Sequence, residues 1–267
     1  MKRFVTIQDR SEPNRVDREQ LYRLSERLLH IAGQMCAGDT LADVGCDHGY
    51  LPIYLVQSGC MQRAIAMDIN EGPLLRARAH IDQEALGDYI ETRLSNGLEK
   101  LSPGEADAVI IAGMGGNLIM DILTRGEAVV RTLDQLILGP QSELAGVRAF
   151  LRKNNYFVET EDLVLEDGKY YPILRVLPKR KSDVLAFSEE SGLSVEVLDA
   201  YGHRLLAAHH PVLSSFLEKE YRQCQQILAG LPEKSDHAER IAVRRQELLE
   251  RIKNNQTAAV YMKRDRE

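Results

Sequence analysis

Four cysteines occur in 267 residues, and no two form a C-x-x-C pair. The one histidine pair is His209-His210, so neither a zinc site nor a disulfide framework is expected. No apolar run approaches the roughly 18 residues a membrane span needs. The first ten residues, Met1 to Arg10, are too polar for a secretion signal, so a cytoplasmic location is the expectation. An excess of positive charge is also missing: 34 Lys and Arg face 40 Asp and Glu, a net charge of −6. That argues against broad, non-specific nucleic-acid binding and leaves room for locally basic faces. What remains is an ordinary apolar content of 44%, fitting one large domain, or one domain with an appendage.

The run Leu41-Ala-Asp-Val-Gly-Cys-Asp-His-Gly-Tyr-Leu-Pro52 is the most informative segment. An apolar strand enters a turn holding Asp43, Gly45, Asp47 and Gly49, and an apolar helix start follows. Glycines there allow a sharp turn and close approach of backbone to ligand. The turn has no lysine, so it is no phosphate cradle. Its carboxylates suit a ligand with cationic and hydroxyl groups, and S-adenosylmethionine has a sulfonium, an α-ammonium and ribose hydroxyls. Cys46 inside the turn reads as a small filler, with a nucleophile as the sharper alternative.

Strand and helix patterns alternate from here. Strands are predicted at 41–44, 64–68, 90–94, 108–112 and 136–138, and helices at 51–58, 72–86, 117–124 and 143–154. A hairpin over 157–165 and 170–177 follows, turning at Glu166-Asp-Gly-Lys169. An amphipathic helix is predicted at 18–35, from Leu21, Leu24, Leu28 and Ile31. The expected fold is α/β, a Rossmann-like class I methyltransferase sheet of parallel strands closed by an antiparallel hairpin. Beyond residue 182 the pattern is all helical. Leu213, Leu217, Cys224, Ile227 or Leu228, and Leu231, then Ile241, Leu248 and Ile252, step as in an antiparallel coiled-coil hairpin. The expected organisation is an extension over 1–17, a cofactor-binding domain over 18–182 and a helical domain over 183–267.

Other motifs fall at the strand ends. Asp68 closes the second strand, 23 residues after Gly45, where a carboxylate can accept both ribose hydroxyls; a helix cap is the blander role. Asn96-Gly97 follows the third strand and suits an adenine edge, or a plain turn. The fourth strand ends in Ala112-Gly-Met-Gly-Gly116, whose three glycines leave backbone exposed where α/β sheets bind ligands. Met114 offers a polarizable contact there. The candidate cofactor contacts are Asp43, Gly45, Asp47, Gly49, Asp68, Ile69, Asn96, Gly97, Gly113 and Met114. Asp47, His48 and Asn117 are the candidates for acid/base, positioning or base-contact roles. A histidine that only fixes the turn is the alternative for His48.

On Leu24-Ser-Glu-Arg-Leu28, the run 42–52, Asn96-Gly-Leu98, Ala112-Gly-Met-Gly-Gly116, Glu161-Asp-Leu-Val164, Gly168-Lys-Tyr-Tyr171 and the helical tail, the chain resembles the bacterial tRNA (adenine(22)-N(1))-methyltransferases. The resemblance covers roughly residues 18–255. It implies a Rossmann-like catalytic domain, a coiled-coil appendage, S-adenosylmethionine as cofactor and methylation of N1 of an adenine in the tRNA D-arm region. Two departures stand out: Gly139-Pro-Gln141 replaces an expected Gln-Pro after the fifth strand, and residues 1–17 have no counterpart.

Transfer to tRNA needs cationic faces. Candidates are Arg15, Arg18, Arg23 and Arg27; Arg175, Lys179, Arg180 and Lys181; and Arg240, Arg244 and Arg251, with Glu247 one turn before Arg251 as a pairing partner. No metal and no membrane partner are expected, and a monomer is the simpler state. The competing readings are a methyltransferase for another RNA, a protein or a small molecule, and a non-catalytic RNA-binding scaffold. A nicotinamide dehydrogenase comes last, because the third motif glycine is displaced and the sheet ends in a hairpin.

Overall fold

The structure is a computed structural model that describes residues 21–232 and 238–263, with helix α11 starting at Ala238. The extension at 1–17, with Arg15, and also Arg18, lie outside the described residues. The chain divides into two compact units at Ser182/Asp183.

Unit 1 is built on seven strands: β1 (Gly38–Val44), β2 (Met61–Asp68), β3 (Ile90–Leu94), β4 (Ala108–Met114), β5 (Gln135–Pro140), β6 (Phe157–Glu166) and β7 (Lys169–Leu177). Their order is β3-β2-β1-β4-β5-β7-β6. β1 pairs in parallel with β2 and β4, β2 with β3, and β4 with β5, while β7 is antiparallel to β5 and β6. This is the Rossmann-like methyltransferase sheet expected from the alternating pattern.

Side chains of the central strands alternate between two buried faces. Leu41, Ala64, Ala108, Ile110 and Ile137 pack with helices α1 (Glu26–Gly33), α2 (Tyr50–Gln57) and α3 (Glu71–Gln83). Ala42, Val44, Val109, Ile111, Leu136 and Leu138 pack with α4 (Gly116–Arg125), α5 (Glu127–Val130) and α6 (Leu144–Lys153). Burial on both sides is why these strands read as continuous apolar runs. The hairpin turn uses Asp167 at φ 50° and Gly168 at φ 73°, the left-handed pair that a two-residue turn requires.

The first helix is shorter than its periodicity predicts. Ser25 has extended backbone (φ −64°, ψ 162°), and its hydroxyl accepts the Leu28 N–H. The N-cap stops the helix at Glu26, leaving Leu21 and Leu24 half-buried on a non-helical segment.

Unit 2 contains α7 (Val184–Ser191), α8 (Val195–Tyr201), α9 (His203–Ala207), α10 (Pro211–Ala229) and α11 (Ala238–Tyr261). α10 and α11 run antiparallel: Asn255 donates to the Leu217 carbonyl and to Glu220, and Arg251 also binds Glu220. Arg251 therefore pairs across the helices with Glu220, and Glu247 pairs with Arg244 at 3.0 Å, not with Arg251 as its spacing suggested. Cross-helix contact wins because Glu220 is buried and needs a charged partner, whereas Glu247 is exposed. Among the described residues no helix is long and apolar enough to cross a membrane, and no cluster of His, Cys, Asp or Glu could hold a metal ion.

Candidate cofactor site

The strand order reverses between β1 and β4, where a crevice opens at their carboxyl ends. A cavity of about 340 Å³ lies there, lined by Arg27, Leu28, Asp43, Gly45, Cys46, Asp47, His48, Tyr50, Leu51, Ala112, Gly113 and Gln141.

The turn after β1 forms its acidic wall. Gly45 (φ 78°) and Cys46 both donate their N–H to the Met67 carbonyl. A Cβ on Gly45 would fall 2.3 Å from Cε of Met114, so glycine is what lets the two loops meet. Asp43 is buried at 4% exposure. Burial, and next the charge of Asp68, push its carboxyl up to about 7. Burial likewise raises the Cys46 thiol well above its ordinary value, which sets it aside as a nucleophile. Asp47 sits at φ 45° and accepts a hydrogen bond of 2.8 Å from Arg76 on α3.

His48 belongs to a stack of rings. Its ring lies 5.0 Å from Tyr50 and 5.5 Å from His80, and Tyr22 lies 5.2 Å from Tyr50. His80 Nδ1 donates to the His48 carbonyl, which fixes the ring tautomer of His80. His48 Nδ1 is buried with no hydrogen-bond partner, and Nε2 is 3.6 Å from Asp47. Both the turn-holding and the ligand-facing readings of His48 therefore have a physical basis here.

On the opposite side β4 carries a bulge. Ala112 pairs with Gly139 and Met114 with Pro140, leaving Gly113 as the extra residue at φ 79°. Gly113 thereby presents bare backbone to the cavity. Gly116 starts α4 against the next loop, where a Cβ would meet the Ser142 carbonyl oxygen at 2.5 Å.

Asp68 stands beside the cavity, 9% exposed, and its Oδ1 accepts the Asn70 N–H. It caps no helix: Asn70 is the N-cap of α3, without a side-chain bond. Ile69 is exposed next to it. Ser95 N–H binds the Asp68 carbonyl, so Asn96 and Gly97 follow at the same sheet end. The Asn96 amide donates to Glu99, and Gly97 at φ 61° packs against Ile122. Gly49, at φ 73°, is the N-cap of α2, and a Cβ there would approach Ala77 at 3.2 Å.

The structure thus gathers Asp43, Gly45, Asp47, His48 and Gly113 around one cavity. Asp68, Ile69, Asn96 and Gly97 continue along the strand ends outside it. Asn117, exposed on α4, does not line the cavity. Sequence reasoning placed Arg27 among RNA contacts, and the structure puts it in the cavity wall. It passed over Leu28, Tyr50, Leu51 and Ala112 as lining residues, and of these only the strand-end position of Ala112 could have marked it; Gln141 belongs to the departing segment Gly139-Pro-Gln141, which the sequence offered as one that could shape the base pocket. Arg175 is corrected: it is buried and paired with Glu159 at 3.1 Å, so it is no surface cation. Lys179 pairs with Asp134, and Arg180 stacks over Phe157.

Buried carboxylates with no phosphate cradle and bare glycine backbone fit a cationic nucleoside such as S-adenosylmethionine.

A family model described as a methyltransferase domain matches residues 24–174. The tRNA (adenine(22)-N(1))-methyltransferase of Bacillus subtilis (strain 168) is 40% identical over 152 residues, which is 57% of this chain and 64% of that protein. The chain thus spans a little under two thirds of that curated relative. The crystal structure of the B. subtilis m1A22 tRNA methyltransferase TrmK superposes with a TM-score of 0.80 at 31% identity, covering 89% of this chain and 99% of that one. M. capricolum TrmK in complex with S-adenosyl-homocysteine gives a TM-score of 0.74 at 26% identity, covering 90% and 99%.

Proposed function

We propose that this chain, which belongs to the family of tRNA (adenine(22)-N(1))-methyltransferases, transfers a methyl group from S-adenosylmethionine to N1 of an adenine in tRNA, at position 22 in the D-arm region. The observation that carries the reading is the acidic glycine turn facing the bare Gly113 bulge across one cavity.

The cofactor, when bound, supplies a methyl group already activated on a sulfonium. Asp43 and the turn at Gly45 would hold its cationic end, and Asp68 its ribose hydroxyls. Ile69, Asn96, Gly97 and Met114 would bound the adenine side. Adenine N1 keeps its own lone pair, so attack needs no strong general base. The protein's work is alignment, close approach and exclusion of water. N1 lies on the pairing edge, so the base must be turned out of its stack. Asp47 and His48, at the cavity wall, are placed to orient that base or to take a proton from N6 afterwards. Asn117, on α4, remains a candidate for contact with flanking RNA.

The exposed cations Arg23, Lys179, Arg180 and Lys181 on unit 1, and Arg240, Arg244 and Arg251 on unit 2, supply the phosphate contacts. A cytoplasmic location goes with a tRNA substrate.

The test is direct. Purified protein is incubated with labelled cofactor and either unmodified tRNA or ribosomal RNA, and the modified nucleosides are mapped. Label at adenine 22 of tRNA as 1-methyladenosine is the expected result. Label confined to ribosomal RNA, or to no RNA, would sink the assignment.

A further inference from the structure

Helix α3 grips the glycine turn with one face. Arg76 donates to Asp47 at 2.8 Å, and His80 Nδ1 donates to the His48 carbonyl at 2.9 Å. Between them Ala77 lies against Gly49, where an added Cβ would stand 3.2 Å from its own. Positions 76 and 80 are one helical turn apart and so face the same way. The turn they hold is strained. Asp47 adopts φ 45°, a left-handed conformation that a residue with a Cβ keeps where its surroundings impose it.

The His48 ring is fixed by everything except its nitrogens. Nδ1 is buried and has no hydrogen-bond partner among the described residues. Nε2 stands 3.6 Å from Asp47, beyond hydrogen-bond reach. A buried nitrogen without a partner calls for a cause, and a role in binding or catalysis is one. What holds the ring is stacking. Its centroid lies 5.0 Å from that of Tyr50, with the planes 16° apart, and 5.5 Å from that of His80. Tyr50 and His80 are themselves 5.4 Å apart, so the three rings close into one cluster. His80 therefore touches His48 twice, ring on ring and N–H on carbonyl. A carbonyl only accepts, so Nδ1 of His80 carries the proton. An apolar side chain would fill the same place in the cluster; only a donor at that point fixes the backbone of His48 as well.

We propose that His80, which does not itself line the cavity, is a positioning residue for methyl transfer. It fixes the backbone and the ring of His48, so that the uncommitted nitrogens of His48 meet the target adenine in one orientation. Arg76 supplies a weaker grip on Asp47, because both of those side chains are largely exposed. This rests on the role given to His48 in the methyltransferase reading above.

Methylation of unmodified tRNA by the full chain, with labelled S-adenosylmethionine and both substrates saturating, tests it. Calorimetry supplies the cofactor affinity. His80→Ala should lower kcat about tenfold or more, as a small misplacement of an active-site group does, with cofactor Kd within about twofold of the wild type. His80→Leu keeps apolar contact without a donor and should behave alike; it also serves if the alanine variant does not fold. His80→Asn, whose amide nitrogen stands where Nδ1 stood, should recover most of the lost kcat. In a His48→Ala background, His80→Ala should lower kcat no further, because the side chain it positions is gone. A merely structural role predicts neither the recovery nor the lack of additivity. Wild-type kcat in both His80→Ala and His80→Leu would overturn the inference. So would a loss of cofactor affinity as large as the loss of kcat, an asparagine that restores nothing, or losses that add in the double variant. Full turnover by His48→Ala would overturn the role of His48 and this inference with it. A wild type that methylates no tRNA would instead overturn the methyltransferase reading itself.

Discussion

Asp43 is the residue whose chemistry is most strongly set by its place. It lies near the end of β1, and burial, then Asp68, hold its carboxyl near 7. A cationic ligand favours the ionised form, so binding at or below that pH must release a proton. Affinity for S-adenosylmethionine should therefore rise from about pH 6 to 8 and then level off. Calorimetry in two buffers of different ionisation enthalpy would show the released proton, and Asp43→Asn should abolish it. Affinity falling over that range would remove the role. Without ligand the sign for stability is opposite. Between about pH 4 and 7 the native state keeps a proton that an unfolded aspartate has already lost, so this residue makes the fold less stable as pH rises through that window. Neighbouring residues separate differently. Asp68→Ala should weaken cofactor binding about tenfold, the loss expected for hydrogen bonds to a charged group. His48→Ala should keep cofactor affinity and lower turnover. Equal losses of cofactor affinity in both variants would erase that division.

Elements deliver these residues, and their junctions are tight. α4 begins on Gly116, whose N–H donates to the Ser142 carbonyl at 3.2 Å. An added Cβ would meet that oxygen at 2.5 Å and Val147 at 2.8 Å. A backbone carbonyl cannot swing aside as a long side chain can. Gly116→Ala should cost about 1–3 kcal/mol, as overpacking does, read as a lower midpoint in urea unfolding. An unchanged midpoint would mean the loop yields freely. The three-glycine run announced this junction in the sequence, as the alternating apolar runs announced the strands. The leucine period predicted a longer first helix, which the Ser25 hydroxyl cuts short by accepting the Leu28 N–H. Arg27 and Gln141 were not legible as neighbours in the cavity wall. Their meeting over Gly113 depends on α1, the β4 bulge and the end of β5 being brought together, and no spacing along the chain encodes that. Arg175 misled for a related reason: a cation next to a basic turn looks exposed until the strand register turns it towards Glu159.

At the scale of the whole molecule the balance of charge decides how tRNA is held. With a net charge of −6 the chain has no general attraction for polyanions, so affinity must come from a few local cations. On unit 2, Arg240 is exposed on α11, and Arg244 is half committed to Glu247, leaving its guanidinium at the surface. Reversing both, as Arg240→Glu with Arg244→Glu, should weaken tRNA binding and flatten its dependence on salt. Each lost phosphate contact should lower the slope of log affinity against log salt by about 1. Cofactor affinity, set by the cavity of unit 1, should stay at the wild-type value. Anisotropy titrations at several salt concentrations, with calorimetry for the cofactor, separate the two effects. An unchanged slope would mean that Arg240 and Arg244 make no phosphate contact, and Arg251 and the cations of unit 1 would then have to carry the RNA.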